Sequence, residues 1–273
     1  MPGQDISTRD GRTLHARNTA GSGGEAADGP VAVLVKAPVL EAVVIISDGV
    51  RSAYAVIGGD KADEVRARWE GGIWRLEWPE DAGVTVISGG VQFGNGNVQF
   101  NSFGGSVFAG RNVTVNGVRV GSGSMPAVET PTLQLYLPSG CTLMMDTQSG
   151  DLRVPAPVNE RHGLTALNFS SQSGSVSSDC AVGSLSAQTA SGDVTASGVT
   201  GQVSASSMSG DVTIRQAAGT VQAKAMSGDV KVHAIEGVMV TASSMSGDVR
   251  VTQAQGVRAM VSASSMSGRV SKP

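Results

Sequence analysis

Apolar and polar residues alternate with a period of two through the second half of this chain, and glycine interrupts the alternation at regular places. In residues 211 to 228, DVTIRQAAGTVQAKAMSG, Val212, Ile214 and Ala217 are apolar in the first half and Val221, Ala223 and Ala225 in the second. The same places recur as Val230, Val232 and Ile235 with Val240, Ala242 and Ser244, then as Val249, Val251 and Ala254 with Val261, Ala263 and Ser265. A period of two predicts strands with one apolar face, so each unit is expected to give two strands to a thin Val/Ala core. Ser-Gly corners close the units at Gly150, Gly174, Gly192, Gly210, Gly228, Gly247 and Gly268, spaced 24, 18, 18, 18, 19 and 21 residues apart. A near-constant period of this length predicts a solenoid, because one such unit cannot bury its apolar face without a neighbour. A second glycine between the halves, at Gly183, Gly201, Gly219, Gly237 and Gly256, predicts a second corner, and such corners often need φ > 0. The surplus of the last unit is expected to bulge outward near residues 257 to 260.

The rest of the chain is organised differently. Residues 1–30 are polar and rich in Gly, Ser and Ala without a period, which predicts a flexible tail. Residues 31–83 hold short β-rich runs separated by Gly, Pro and Asp, and are expected to cap the solenoid. Within them EGGIWRLEW predicts a hairpin; Trp74, Leu76 and Trp78 share one strand face and, with Trp69, are expected to plug one end of the core. Residues 84–130, short Val and Phe runs among Gly and Asn, are expected to form irregular coils, and residues 131–273 the regular ones. The fold class is therefore all-β, a β-solenoid with coils of about 18 residues behind a β-rich N-terminal cap.

Composition narrows the function. Hydrophobic residues make up 40% and aromatic ones 4%, with 37 glycines, so the core must be built from small and β-branched side chains. A net charge of −3 provides no basic surplus to neutralise a row of phosphates, which argues against nucleic acid as a partner. No stretch approaches 18 uninterrupted apolar residues and the N-terminus has no apolar leader, so membrane insertion is not expected and the chain reads as cytoplasmic. Cys141 and Cys180 are too few for a disulfide scaffold or a structural zinc site.

Chemistry concentrates at the corners. Asp151, Asp193, Asp211, Asp229 and Asp248 follow the corner glycines Gly150, Gly192, Gly210, Gly228 and Gly247, and stacking would set these carboxylates about 4.8 Å apart. Their repulsion, on the order of 1 kcal/mol per neighbour in water, must be offset. One account is an Asx-type turn in which each carboxylate accepts N–H groups of its own corner. The other is calcium held by Asp193, Asp211, Asp229 and Asp248, since oxygen-only stacked corners suit that ion. Ser175 and Arg269 stand where Asp would be at two corners, and the arginine opposes a cation there. Met208, Met226, Met245 and Met266 make another column two residues before the corner glycines, either folded over the corner or exposed as a stripe for a partner.

No catalytic constellation is expected. The outward positions Ser204, Ser206, Gln222, Lys224, Thr241, Ser243, Ser262 and Ser264 form a hydroxyl-rich face without a base, and hydroxyls alone are weak nucleophiles. His15, His162 and His233 are scattered, which leaves no triad and no metal cluster. Asn159, Glu160, Arg161 and His162 form the most polar local group, in the longest interruption of the repeat, and are a candidate binding spot.

Two resemblances add to this reading. The segment LQLYLPSGCTLMMDTQSGDLRV and the later SGDV corners resemble a bacterial family of adhesin-like proteins of unknown function, from Leu133 to about Val270 and more loosely back to Val31. That resemblance implies a β-helix-like fold with no assigned activity. Val91, Gln92, Phe93, Gly94 and Asn97 are similar to the V-Q-x-G-x-x-N core of RIP homotypic interaction motifs and bacterial amyloid signalling sequences, which implies cross-β stacking with copies of themselves.

Together these readings give a non-enzymatic scaffold that binds itself or another protein through a strand edge at the SGRVSKP coil. The alternatives are a calcium-stabilised β-roll, a monomeric module that binds a carbohydrate or a surface through its Ser/Thr face, and a signalling assembly driven by the amyloid-like motif.

Overall fold

Valine and alanine at every second position give each coil two short strands, and the coils stack in parallel with like residue upon like. In one such coil Val203–Ser207 runs to a Ser-Gly-Asp corner, Val212–Ala217 runs back to the corner at Gly219, and Thr220–Ala225 begins the next. Val203, Val221, Val240 and Val261 lie in register through one sheet. Val194, Val212, Val230, Val249 and Val270 do so through the other. The inward side chains of the two sheets meet in the thin Val/Ala core that the alternation predicts. The computed structural model describes residues 4–19, 32–47, 52–80, 82, 91–93, 96–98, 113–115, 118–120, 129–157, 163–236 and 239–273. Among them there is no α-helix, and the only helical turn is Ala62–Glu64.

The first sheet runs, in lateral order, Gln4–Asp10, Thr13–Thr19, Tyr54–Gly58, Thr132–Leu137, Glu41–Ile46, Leu152–Val154, Val176–Ser178, Val194–Ala196, Val212–Ala217, Val230–Ala234, Val249–Gln253 and Val270–Ser271. The second runs Met260–Ser265, Met239–Ser244, Thr220–Ala225, Val203–Ser207, Ala181–Thr189, Gly163–Ser173, Thr142–Ser149, Ala32–Val39, Ile73–Glu77 and Arg66–Glu70.

Several expectations change. Residues 32 to 46 are a solenoid coil, not part of a cap. Ala32–Val39 pairs in parallel with Thr142–Ser149, and Glu41–Ile46 with Leu152–Val154. The period of two was present there, but the corner is Pro38 to Leu40 and lacks the Gly-Asp signature. Residues 4 to 19, expected as a tail, form an antiparallel hairpin whose second strand joins Tyr54–Gly58. Leu14 and Ala16 are buried there, and the Arg9 guanidinium donates to the carbonyls of Ala62 and Val65 at 3.2 and 2.8 Å. Two apolar side chains are enough for a strand that a ready-made sheet receives, although they give no visible period.

Arg66–Glu70 pairs antiparallel with Ile73–Glu77, Trp69 opposite Trp74, and all three tryptophans are buried as a plug at this end. Ile235, expected inward, is 38% exposed, because Ala234 takes the core position in register with Ala217. In the last coil the surplus residues turn at Gln255 and Gly256, and the Ala259 N–H donates to Gln253 Oε1.

Val118–Val120, Val113–Val115, Val91–Phe93 and Gly96–Val98 form a separate four-stranded antiparallel sheet and do not extend the coils. The two-residue links from Val91–Phe93 to Gly96–Val98 and from Val113–Val115 to Val118–Val120 allow hairpins, whereas parallel pairing needs a longer connection.

Candidate functional site: the Ser-Gly-Asp corner

The corner glycines are required by proximity more than by turning. Among the Ser-Gly corners only Gly150 has a left-handed φ, +126°. At Gly192, Gly210, Gly228, Gly247 and Gly268 a Cβ would fall inside contact distance of the carbonyl of the corner glycine one coil before, so glycine rests on glycine. Positive φ was expected to explain these residues; the close approach of stacked backbones explains them instead.

That stacking brings the aspartates within reach of one another's backbone. The N–H of Asp211 donates to Asp193 Oδ1 at 2.8 Å, that of Asp229 to Asp211 at 2.8 Å and that of Asp248 to Asp229 at 2.9 Å. Below them the Ser175 N–H donates to Asp151 Oδ1, and above them the Arg269 N–H donates to Asp248 Oδ1, both at 2.8 Å. Ser175 holds the ladder with its hydroxyl, which accepts the Asp193 N–H at 3.2 Å. The expected Asx turn within one corner is thus replaced by a ladder between coils: each side chain acts as the carbonyl that the neighbouring corner N–H lacks. Arg269 joins the ladder through its backbone N–H, a bond that does not require an aspartate side chain at that corner.

Repulsion along the column is reduced in its middle. Lys231 Nζ lies 3.3 Å from Asp229 Oδ2 and 3.7 Å from Asp211 Oδ2. The Asp248 N–H first, and then Lys231, hold the Asp229 carboxyl below its ordinary value, while the bond to Asp229 raises the Lys231 ammonium. Among the described residues no group of three or more His, Cys, Asp or Glu side chains converges as a metal site.

A second column lines the inside of the corner; Ser244 and Ser265 of it were expected to face inward, but not its hydrogen bonds to the corner carbonyls. The hydroxyls of Thr189, Ser207, Ser244 and Ser265 donate to the carbonyls of Gly174, Gly192, Gly228 and Gly247 at 3.0, 2.9, 2.8 and 2.8 Å. Their signal was in the chain: a Ser or Thr stands three residues before six of the seven corner glycines, and Ala225 is the exception.

The methionine column is exposed, not folded over the corner: Met208, Met226, Met245 and Met266 are 53, 45, 47 and 79% accessible. Met239 and Met260, unnoticed in the sequence, face each other in register at the other end of the same outer face. Between these two edges lie in-register columns of Ser186, Ser204, Gln222, Thr241 and Ser262, and of Gln188, Ser206, Lys224, Ser243 and Ser264.

Two depressions mark the outer faces. One of about 640 Å³ near the tryptophan plug brings together Lys36, Glu77, Glu80, Asp146 and Gln148, which lie far apart in sequence. The other, of about 420 Å³ on the first sheet, is lined by Arg215, Lys231, His233 and Arg250, with His233 Nδ1 2.9 Å from the Thr252 hydroxyl. His15, placed in the tail from sequence, lies against Tyr54, which stacks on Tyr136. Of the amyloid-like motif, Val91, Gln92, Phe93 and Asn97 lie in one antiparallel hairpin, and Gly94 lies outside the described residues. So do Asn159, Glu160, Arg161 and His162, and the corner glycine Gly237.

A family model matches residues 92–273, two thirds of the chain. The chain belongs to the Toastrack DUF4097 family. The Toastrack match includes every Ser-Gly-Asp coil, while the coil at residues 32 to 46 and the hairpin at residues 4 to 19 fall outside it. No curated protein and no solved structure matches the chain. Among the described residues of this Toastrack chain no helix is long and apolar enough to cross a membrane.

Proposed function

We propose that the chain is a non-catalytic scaffold of adhesin-like type that associates with a second copy by strand addition at the edge of its last coil. One observation carries this reading. Val240, Ala242 and Val249 are fully buried, but their counterparts in the last coil, Val261 and Ala263, are partly uncovered and Val270 is 40% exposed. Met260–Ser265 pairs on one side only, with Met239–Ser244, so a row of N–H and C=O groups faces outward. The opposite end carries the antiparallel strands and the tryptophan plug. Two copies that pair through these last-coil edges would form a closed dimer.

Light scattering behind size exclusion over a concentration series tests the reading. Growth in mass with concentration, lost in Val270→Pro, is the expected result; one constant mass for both proteins refutes it.

The in-register hydroxyl and amide columns of the second sheet support a second reading, a flat face for a carbohydrate or another surface. Binding across a glycan panel, weakened by Ser204→Lys with Thr241→Lys, is what that reading requires, and a blank panel removes it. The carboxylates and lysine of the larger depression allow a direct check on the non-catalytic reading: turnover of any glycan that Asp146→Asn abolishes would overturn it.

A further inference from the structure

Six of the ten methionines, Met208, Met226, Met239, Met245, Met260 and Met266, lie on the surface of the last four coils. Apolar side chains gain stability by leaving water, so a Ser- and Thr-rich surface has no packing reason to keep methionine at one position of four successive coils. In the three coils before them the same position holds Gln148, Gln172 and Ala190.

The backbone holds the four residues of the corner stripe in a tight stack. The Ser227 N–H donates to the Met208 carbonyl at 2.9 Å, that of Ser246 to Met226 at 2.8 Å and that of Ser267 to Met245 at 2.9 Å. Neighbouring stripe residues are therefore about one inter-strand spacing apart, roughly 4.8 Å. Each side chain has three rotatable bonds and ends near a polarisable sulfur. Two sulfurs that share one ion at metal–sulfur distances of about 2.3 Å stand roughly 4 Å apart, so adjacent coils can supply both without backbone movement.

Thioether sulfur is a soft donor that selects Cu(I)-type ions over Mg²⁺, Ca²⁺ and Mn²⁺, which prefer oxygen. We infer that Met208, Met226, Met245 and Met266 form a site for a soft monovalent cation, Cu(I) or Ag(I), each ion held by two or three sulfurs from consecutive coils. The aspartate ladder, three residues further along the same corner, gives the stripe a field that favours a cation. The cysteines offer little competition. Both are buried, burial pushes the Cys141 thiol up to about 11 and raises Cys180 as well, and a protonated thiol is a poor ligand.

The test uses full-length chain labelled with ¹³C at the methionine methyl groups and titrated with Ag⁺ in chloride-free buffer. The stripe methyls are expected to shift as Ag⁺ reaches stoichiometric amounts, while buried Met145 stays in place. Met226→Leu with Met245→Leu keeps volume at exposed positions and removes the sulfurs. It is expected to weaken binding at least about tenfold with an unchanged circular dichroism spectrum and Tm. Unmoved stripe methyls, equal affinity in the double variant, or displacement of Ag⁺ by equimolar Zn²⁺ would each overturn the inference.

Discussion

Gly210→Ala tests whether backbone contact, and not turn conformation, fixes the repeat. The new Cβ would sit 2.6 Å from the Gly192 carbonyl carbon, closer still to its oxygen, and 3.0 Å from Asp193 Oδ1. Ordinary carbon–oxygen contact begins near 3.3 Å, so the two corners must separate by about 1 Å. The Asp211 N–H bond to Asp193 Oδ1 is 2.8 Å long and the Ser209 N–H bond to the Ala190 carbonyl 2.9 Å. Stretched by that amount, both exceed the length at which a hydrogen bond persists. Two lost bonds at roughly 1 to 2 kcal/mol each give a loss of about 3 kcal/mol, or a fall in Tm of roughly 6 to 12 °C for a chain of this size. Gly256→Ala is the control: φ is +82° there and a Cβ would meet nothing within 4 Å, so only conformational strain of about 1 kcal/mol applies. Both variants are to be compared with the parent by urea and thermal denaturation followed by circular dichroism. If Gly210→Ala melts within about 1 °C of the parent, or no lower than Gly256→Ala, the contact argument is wrong.

Other consequences can be measured in the same way. Ala225→Ser restores the missing hydroxyl beneath the Gly210 carbonyl, and by analogy with Ser207 and Ser244 is expected to stabilise by about 1 kcal/mol; an unchanged or lower Tm would count against the inner column. Asp211→Asn keeps an oxygen for the Asp229 N–H and should be nearly neutral, whereas Asp211→Ala removes it and should cost about 1 to 3 kcal/mol; equal losses would mean that charge, not the ladder, matters. Because Asp229 titrates below its ordinary value in the fold, its stabilisation is complete above the unfolded value near 3.9 and disappears as pH falls through the lower folded one. Melting curves should therefore drop below about pH 4, less so in Asp229→Asn. EDTA should leave Tm unchanged, since backbone N–H groups already use the Oδ1 atoms of Asp193, Asp211, Asp229 and Asp248; a fall reversed by calcium would restore the calcium-stabilised reading.

The sequence by itself determined the solenoid, its 18-residue step and the inward Val and Ala positions, because all three follow from periods that local chemistry imposes on each coil. It also marked the corners, the aspartate and methionine columns and the tryptophan plug. Only the tertiary structure decided what those columns touch. The Asp211 carboxylate meets a backbone N–H 18 residues away, and Gly210 is glycine because of the Gly192 carbonyl. Such contacts depend on the register between coils, which no single coil encodes. The same holds for the place of residues 32 to 46 as a coil of the stack, and for residues 4 to 19, whose few apolar residues become strands because an existing sheet receives them. Lys36, Glu77 and Asp146 meet for that reason too, since parallel stacking joins residues more than one hundred positions apart into neighbouring rows.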